Sequence, residues 1–142
     1  MSFMVNFMVD GTPVHKGRPR FARRGKFVST YSPKTTVDYE TKVSEAAKAA
    51  MGSSEPLETP VSAYIYITLP VPASYSKKRT AACLSGEEHP TKKSDIDNFC
   101  KALFDGMNGI VFADDSQVVS LHAKKVYGTV GMVEIMVKEE IL

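Results

Sequence analysis

The sequence predicts an α+β fold, a single domain over residues 1–142 in which helices pack on one face of a mixed β-sheet. The 142 residues are 43% hydrophobic and 24% charged, which suits one globular domain with its own core. Apolar residues alternate in some segments and recur every three or four positions in others. Along the chain these patterns run β, α, β, α, β, β, so strands and helices share one domain.

The first half of the chain contains a strand, a basic segment and a helix. The stretch "FMVNFMV" (residues 3–9) is typical of a strand, and the basic segment that follows includes a short strand at residues 26–29. Ser32 can cap the next helix, Pro33 suits its first position and Gly52 ends it. The expected apolar face of this helix comprises Val37, Tyr39, Val43, Ala46, Ala47, Ala50 and Met51.

The second half opens with the clearest strand. Residues 60–70 alternate apolar and polar side chains, which is the period of a half-buried strand. A mobile, substrate-facing loop is expected from residue 70 to residue 94, with a short helix between Ser74 and Gly86. An amphipathic helix follows over residues 96–108. The stretches "QVVSLHAKKV" and "VGMVEIMV" flank "YGT" and predict a C-terminal hairpin.

Several classes of protein and of site are disfavoured. No segment resembles an export signal or supplies the ~20 apolar residues of a membrane span, so we expect a cytoplasmic protein without a membrane partner. Cys83 and Cys100 lack zinc-site spacing and are expected to be reduced thiols. An EF-hand fails because Cys100 and Gly106 stand where glycine and glutamate are required. Phosphate-binding loops and nucleophile-elbow motifs are absent from the sequence as well.

Positive charge is concentrated near the start. The stretch between Gly11 and Val37 carries seven basic residues and no acid. Glycine, proline and aromatic residues are interleaved with them, a composition that suits a polyanion such as nucleic acid, although solvated loops often share it. The residues from which we expect DNA contacts, including a second cluster, are Lys16, Arg18, Arg20, Arg23, Arg24, Lys77, Lys78 and Arg79.

Negative charge is concentrated between residues 92 and 119. The five aspartates there are Asp95, Asp97, Asp105, Asp114 and Asp115. Asp97, Lys101 and Asp105 are spaced four apart, so they lie in one line on the predicted helix, with Asp95 just before its first turn. Spacing alone therefore places carboxylates beside a lysine.

Two interpretations of this acidic segment stay open. In the structural one, Asp95 or Asp97 caps the helix and Lys101 pairs with the aspartates four residues before and after it. In the other, the carboxylates bind a divalent cation, because Mg²⁺ and Mn²⁺ prefer carboxylate oxygens. The second interpretation also accounts for Asp114 and Asp115, which stand together just before a strand, where aspartate is disfavoured. A turn at that point is the alternative explanation for one or both of them.

An acidic cation site together with basic segments indicates a metal-dependent nuclease, since phosphodiester hydrolysis needs a cation held against a phosphate. A non-catalytic DNA-binding module that uses the basic segment is one alternative. A metal-dependent transferase acting on a nucleotide-activated substrate is another, but 142 residues leave little room for its nucleotide-binding domain. Cleavage of DNA in Mg²⁺ would separate the three.

The segment "KSDIDNFCKALFDGMNGIVFADDSQVV" resembles the central motif of the RusA family of Holliday junction resolvases, which are endodeoxyribonucleases related to phage enzymes. The stretches "GRPRF", "YSPKTTVDYE", "HPTKKSDIDN" and "KVYG" are also similar to segments found at those places in the family. The combination D-x-D-N-x-x-K followed by D-D-x-Q is the specific part. The resemblance covers nearly the whole chain and implies the RusA-like α+β fold.

The resemblance implies a homodimer in a bacterial or phage-infected cell that binds four-way DNA junctions during recombination or repair and cuts them with Mg²⁺, with Mn²⁺ as a substitute. Carried onto matching positions, Asp95, Asp97 and Asp115 are the metal ligands, and they are catalytic together with Lys101, which would stabilise the developing negative charge. By the same analogy the products carry 5′-phosphate and 3′-hydroxyl ends. Asp114 matches the first of the paired aspartates and would support the site indirectly.

The chain departs from the family pattern at a few positions. Phe99 and Cys100 replace more usual aliphatic or polar residues between the motif's asparagine and lysine, and Gly106 is expected to interrupt the helix. We expect these changes to affect packing before they affect chemistry.

Overall fold

Six strands, three α-helices and one 3-10 turn lie in the part of the chain that the computed structural model describes, residues 3–17, 20–31, 33–92 and 94–140. In chain order they are β1 (Met4–Asp10), β2 (Arg20–Arg24), β3 (Phe27–Tyr31), α1 (Lys34–Met51), β4 (Val61–Pro70), α2 (Lys77–Ser85), α3 (Ile96–Met107), the 3-10 turn (Asp115–Gln117), β5 (Val118–Gly128) and β6 (Met132–Glu139). The predicted α+β class is confirmed.

The main sheet is mixed and has the strand order β1-β6-β4-β5. The neighbours β1/β6 and β6/β4 are antiparallel, whereas β4 and β5 are parallel. The predicted C-terminal hairpin is therefore wrong, because β5 and β6 do not pair with each other and β4 lies between them. The short β5–β6 connection passes over the end of β4, where a Cβ on Gly128 would collide with Thr68. Local turn spacing cannot reveal such an intervening strand, and the strongly apolar β4 gains most burial at the centre of the sheet.

The core lies between one face of this sheet and helices α1 and α3. Val61, Ala63, Ile65 and Ile67 of β4 are buried there, as the alternating pattern predicts. The predicted helical face of α1 is partly wrong. Val37 and Ala50 are exposed, and Thr36 is buried instead.

Only one stripe of α1 is covered, because α1 contacts the sheet and α3 along a single side. Tyr39, Val43, Ala47 and Met51 form that stripe. The predicted cap, Ser32, lies outside the described residues, and Gly52 ends the helix in a backbone conformation with φ 59°.

Helix α3 confirms the predicted amphipathic helix, although it ends at Met107 rather than residue 108. Gly106 does not interrupt it, contrary to expectation. A Cβ at Gly106 would lie 2.7 Å from the Cβ of Val43, so this glycine lets α1 and α3 approach closely. The Ser44 hydroxyl donates a hydrogen bond to the Gly106 carbonyl at 2.7 Å, which fixes the contact.

The predicted short helix after β4 is confirmed as α2. Ser76 caps it by accepting a hydrogen bond from the Arg79 backbone at 3.1 Å, and Gly86 ends it with φ 88°. Helix α2 lies against β5, at the edge of the sheet, whereas α1 and α3 cover the core face.

The basic segment is more regular than expected. In place of a loop with one short strand at residues 26–29, β2 and β3 form a separate antiparallel hairpin around a turn at Gly25. Within the described part of the chain, no helix is long and apolar enough to cross a membrane.

Candidate active site

Asp95 and Asp97 stand at the amino end of α3. Asp95 is the residue before the first turn, and its carbonyl accepts hydrogen bonds from the Asn98 and Phe99 backbone at 3.1 and 3.2 Å. Its side chain makes no capping hydrogen bond, so the capping interpretation fails for the Asp95 carboxylate. Both carboxylates are exposed and lie where the helix dipole favours negative charge.

The residue before Asp95 has an unusual backbone. Ser94 has φ 92°, which makes it the one positive-φ residue other than glycine among the described residues. Its hydroxyl lies 3.1 Å from Nδ1 of His15, and its carbonyl accepts a hydrogen bond from the Lys125 ammonium at 3.0 Å. We call this arrangement the Ser94 corner. It turns the chain sharply into α3 and is held by contacts from two distant segments.

Asp114 and Gln117 form a capping box around the 3-10 turn. Oδ2 of Asp114 accepts a hydrogen bond from the Ser116 backbone at 3.0 Å, and Oε1 of Gln117 accepts one from the Asp114 backbone at 2.9 Å. The amide nitrogen of Gln117 also donates to the carbonyls of Leu57 and Thr59 at 2.8 and 2.9 Å. Hydrogen bonds from Ser116 hold the pKa of Asp114 below its usual value. We call residues 114–117 the capped turn.

Lys101 contacts both the capped turn and the next turn of α3. Its ammonium lies 3.2 Å from Oδ1 of Asp105, one turn along α3, and 3.4 Å from Oδ2 of Asp115 on the capped turn. The described ion pairs of Lys101 do not include Asp97, which the structural interpretation expected as a partner. The hydrogen bond with Asp105 raises the pKa of Lys101, and Asp115 adds to this, so the side chain is a permanent cation at neutral pH.

Lys16 contacts the other oxygen of the Asp105 carboxylate. Its ammonium lies 2.9 Å from Oδ2 of Asp105 and 2.7 Å from Glu40 of α1. Burial lowers the pKa of Lys16, but the hydrogen bonds to Glu40 and Asp105 outweigh this and raise it overall. The expectation that Lys16 contacts DNA phosphates fits poorly with this half-buried position, in which two carboxylates already neutralise the ammonium.

The cysteine in α3 takes no part in this chemistry. Burial raises the pKa of the Cys100 thiol to about 11, and the nearby Asp97 carboxylate adds to the shift. The thiol therefore stays protonated at neutral pH and is a poor metal ligand and nucleophile.

The structure brings Lys101 and Asp115 together but does not gather the three predicted ligands into one cluster. Within the four described stretches, no three His, Cys, Asp or Glu side chains lie close enough to hold a metal ion. The three-aspartate cluster implied by the family resemblance is thus not assembled here, and metal binding stays a prediction. The donor chemistry fits Mg²⁺, since Asp95 and Asp97 offer exposed carboxylates that form no ion pair within the described residues.

The remaining residues predicted to bind DNA fall into three groups. Arg23, Lys77 and Lys78 are exposed, as a phosphate contact requires. Arg79 is engaged within the protein, since its guanidinium forms a two-point interaction with Glu88 at 3.0 Å and stacks over Tyr75 at 3.7 Å. Arg18 lies outside the described residues, as do the side chains of Arg20 and Arg24.

Sequence reasoning missed the residues that support the site. Gln117 could have been found, because an acid followed three residues later by glutamine is a capping-box signature. Glu40 and His15 could not, since their partners come from other elements and no local pattern marks them.

The chain also matches known proteins over nearly all its length. The model of the family described as "Endodeoxyribonuclease RusA" matches residues 10–138. A Bacillus subtilis (strain 168) relative, "Uncharacterized protein YqaN", is 36% identical over 138 residues, which cover 95% of this chain and 96% of that relative. The matched region includes both aspartate-bearing segments and Lys101. On this evidence the chain belongs to the RusA endodeoxyribonuclease family.

Proposed function

We propose that this protein is a Mg²⁺-dependent endonuclease that resolves Holliday junctions and related branched DNA during recombination or repair. The observation that carries the proposal is the meeting of Lys101 and Asp115, 3.4 Å apart, on the helix whose amino end bears Asp95 and Asp97. Family membership supports the cleavage of DNA by this chain. The choice of a branched substrate rests on the resemblance of its motifs to resolvases.

Asp95, Asp97 and Asp115 would hold the metal ion. When bound, a divalent cation neutralises charge on the scissile phosphate and activates water for attack. Mn²⁺ would substitute, because it accepts the same oxygen ligands.

Lys101 would stabilise the negative charge that develops on the phosphate. Asp105 suits this role as its support, because it pairs with the Lys101 ammonium in addition to Asp115, and Lys16 in turn pairs with Asp105. A cation fixed before the reaction begins needs no reorganisation in the transition state.

The β2–β3 hairpin and the start of α2 would contact the DNA backbone. The hairpin carries Arg23 together with exposed aromatic side chains, Phe21 at 72% and Phe27 at 79% exposure. Basic and aromatic side chains on a projecting ribbon suit phosphates and unstacked bases, which occur at branch points.

A junction is resolved by two cuts on strands related by a two-fold axis, so we propose a homodimer with one active site in each chain. The alternative function is a DNA-binding module without catalysis. It would keep the basic hairpin and use the aspartates only to stabilise α3 and the capped turn.

The test is to incubate the protein with an immobile four-way junction, labelled on each strand in turn. We expect paired cuts in opposite strands with Mg²⁺ or Mn²⁺ and none with EDTA. Asp97→Asn should bind the junction and not cut it. Binding without cleavage by the wild type in either metal would support the alternative, and cleavage in EDTA would contradict the metal.

A further inference from the structure

The segment that joins β1 to the β2–β3 hairpin lies against both core helices. The Lys16 backbone N–H donates a hydrogen bond to the Asn98 carbonyl of α3 at 3.0 Å, and the Gly17 N–H donates one to the buried Thr36 hydroxyl of α1, also at 3.0 Å. A Cβ on Gly17 would lie 2.8 Å from Oγ1 of Thr36, so a side chain there would push the two segments apart. The backbone at residues 16 and 17 is therefore fixed between α1 and α3.

The Lys16 side chain links α1 to the candidate active site. Its ammonium lies 2.7 Å from Oε2 of Glu40 and 2.9 Å from Oδ2 of Asp105, and the side chain is only 23% exposed. The other oxygen of Asp105, Oδ1, lies 3.2 Å from the Lys101 ammonium, which in turn lies 3.4 Å from Asp115. These side chains form one series of alternating charges, which we call the charge chain, in the order Glu40, Lys16, Asp105, Lys101 and Asp115.

The charge chain is firm at its inner end and loose at its outer end. Lys101 is 54% exposed, and a long exposed side chain is held only weakly by a single ion pair. Asp105 is 20% exposed, and each of its two oxygens contacts a different ammonium, which fixes its orientation. Without the Lys16 ammonium, Oδ2 of Asp105 would lose its partner. The carboxylate would then be free to rotate, and Lys101 would follow it away from Asp115.

We infer that Lys16 is a positioning residue for phosphodiester cleavage, which fixes Asp105 so that Asp105 holds the Lys101 ammonium beside Asp115. This role rests on the proposed function, in which Lys101 stabilises charge on the phosphate. It differs from the phosphate contacts expected of the neighbouring basic residues. A phosphate contact acts on DNA affinity and its salt dependence, whereas a positioning residue acts on the rate after DNA is bound.

Nitrogen-15 NMR of the lysine ammonium groups tests the positioning in the protein without DNA. Lys16→Met keeps an unbranched side chain and removes the charge. It should lower the order parameter of the Lys101 ammonium to the level of Lys34, which is 90% exposed. Lys16→Arg keeps donors for both carboxylates and should preserve the order of Lys101. An unchanged order parameter in Lys16→Met would overturn the inference whether or not the protein cuts DNA.

Single-turnover cleavage of a saturating four-way junction with Mg²⁺ tests the catalytic consequence. Lys16→Met should lower the rate about 10–100-fold, since a small misplacement of a reacting group has an effect of this size. Lys16→Arg should retain most of the rate. The salt dependence of junction binding by Lys16→Met should match the wild type, whereas Arg23→Met, on the exposed hairpin, should lower the slope by about one. A lower slope with an unchanged rate in Lys16→Met would make Lys16 a phosphate contact and overturn the inference.

A second substitution separates positioning from folding. In Lys16→Met the Glu40 and Asp105 carboxylates face each other without the cation between them, so the melting temperature should fall. Adding Glu40→Gln removes this repulsion, and the double variant should regain stability but not the cleavage rate. Recovery of both would make Lys16 merely structural and overturn the inference.

Lys34→Met is the matched control. It removes a lysine from the same basic segment, but its ion pair with Asp38, 3.9 Å long, lies on the exposed side of α1. It should match the wild type in melting temperature, cleavage rate and the order of Lys101. A wild type that does not cut the junction would overturn the proposed function and the catalytic role together, while the order parameter would still decide whether Lys16 positions Lys101.

Discussion

The two segments that bear the site's aspartates are built in opposite ways. The capped turn holds Asp115 by hydrogen bonds within regular geometry, and Gln117 ties it to the backbone at Leu57 and Thr59. The Ser94 corner positions Asp95 through a positive-φ backbone conformation that residues with a side chain rarely adopt. Contacts of Ser94 with His15 and Lys125 hold this conformation. The capped turn thus combines its own local hydrogen bonds with contacts to the segment at Leu57 and Thr59, whereas the Ser94 corner depends on contacts from distant segments.

This difference means that Asp115 and Asp95 are positioned in two different ways. Damage to the capped turn should lower both stability and cleavage, because the same hydrogen bonds hold Asp115 and the adjoining loop. Damage to the Ser94 corner should change stability less, because the hydroxyl makes a single exposed contact with His15, and replacement by glycine also relieves the backbone strain. The predictions below test this contrast, beginning with the aspartate on the capped turn itself.

Asp115→Asn should give the largest effect. The amide keeps the shape of the side chain but loses the charge that would face both the metal ion and Lys101. We expect single-turnover cleavage of a junction to fall at least about a thousandfold, which corresponds to the several kcal/mol a metal ligand set contributes. Gel-shift affinity should be unchanged or improved. Equal losses of binding and cleavage would contradict the ligand assignment.

Lys101→Ala should lower cleavage by about 10²–10³-fold, the typical cost of one preorganised donor to a developing charge. The side chain is 54% exposed, so the melting temperature should barely change. Because its pKa is raised, Lys101 stays protonated, and the ratio of wild-type to variant rates should be constant from neutral pH to about pH 9.

Lys101→Arg sharpens this test, since it keeps the charge and replaces a compact ammonium with a planar fork. We expect a loss close to that of the alanine variant. Near-normal rates for both variants would remove Lys101 from the mechanism and leave it as an ion-pair partner of Asp105.

Gln117→Ala should lower cleavage by about 10–100-fold, the usual cost of losing a residue that orients a metal ligand. It removes the donor to the Thr59 carbonyl and one of the two donors to the Leu57 carbonyl, which keeps the Ala113 backbone at 3.1 Å, so the free energy of unfolding should also fall by about 1 kcal/mol. Denaturant unfolding and single-turnover cleavage measure the two losses. Glu58→Gln, an exposed neighbour on the same loop, should match the wild type in both.

The Ser94 corner should give the smallest effect, and a pair of variants isolates it. Ser94→Ala and Ser94→Gly both remove the hydroxyl that meets His15, but only glycine relieves the positive φ. We expect the glycine variant to be more stable than the alanine variant by about 1 kcal/mol in denaturant unfolding. An alanine variant at least as stable as the glycine variant would show that the corner carries no strain.

The parts of the fold that depend on local periodicity could be predicted from the sequence. Helix α3 and strand β4 were expected with nearly their observed ends, because a repeating apolar pattern marks each one. Pairing between strands was not predictable in this way. Strands β5 and β6 look locally like a hairpin. In the sheet both of them pair with β4, which lies between them.

The same limit applies to the site. The line of Asp97, Lys101 and Asp105 follows from helical spacing, and two of its members do meet. The partners of Lys16 come from α1 and α3, so no pattern around residue 16 shows that its charge is neutralised. Sequence alone cannot distinguish a basic residue that is available to bind phosphate from one that already forms an ion pair within the protein.

The position of β6 has a consequence for how the chain folds. This strand follows all the others in chain order yet pairs on both sides, with β1 and with β4. During synthesis, the edges of β1 and β4 that pair with β6 therefore stay unpaired until residues 132–139 have been made. The pairing of β6 with β1 then joins segments at the two ends of the sequence. Such a high contact order predicts folding in milliseconds to seconds rather than microseconds. Nascent chains that stop before Met132 would carry two exposed strand edges, which makes them prone to aggregation.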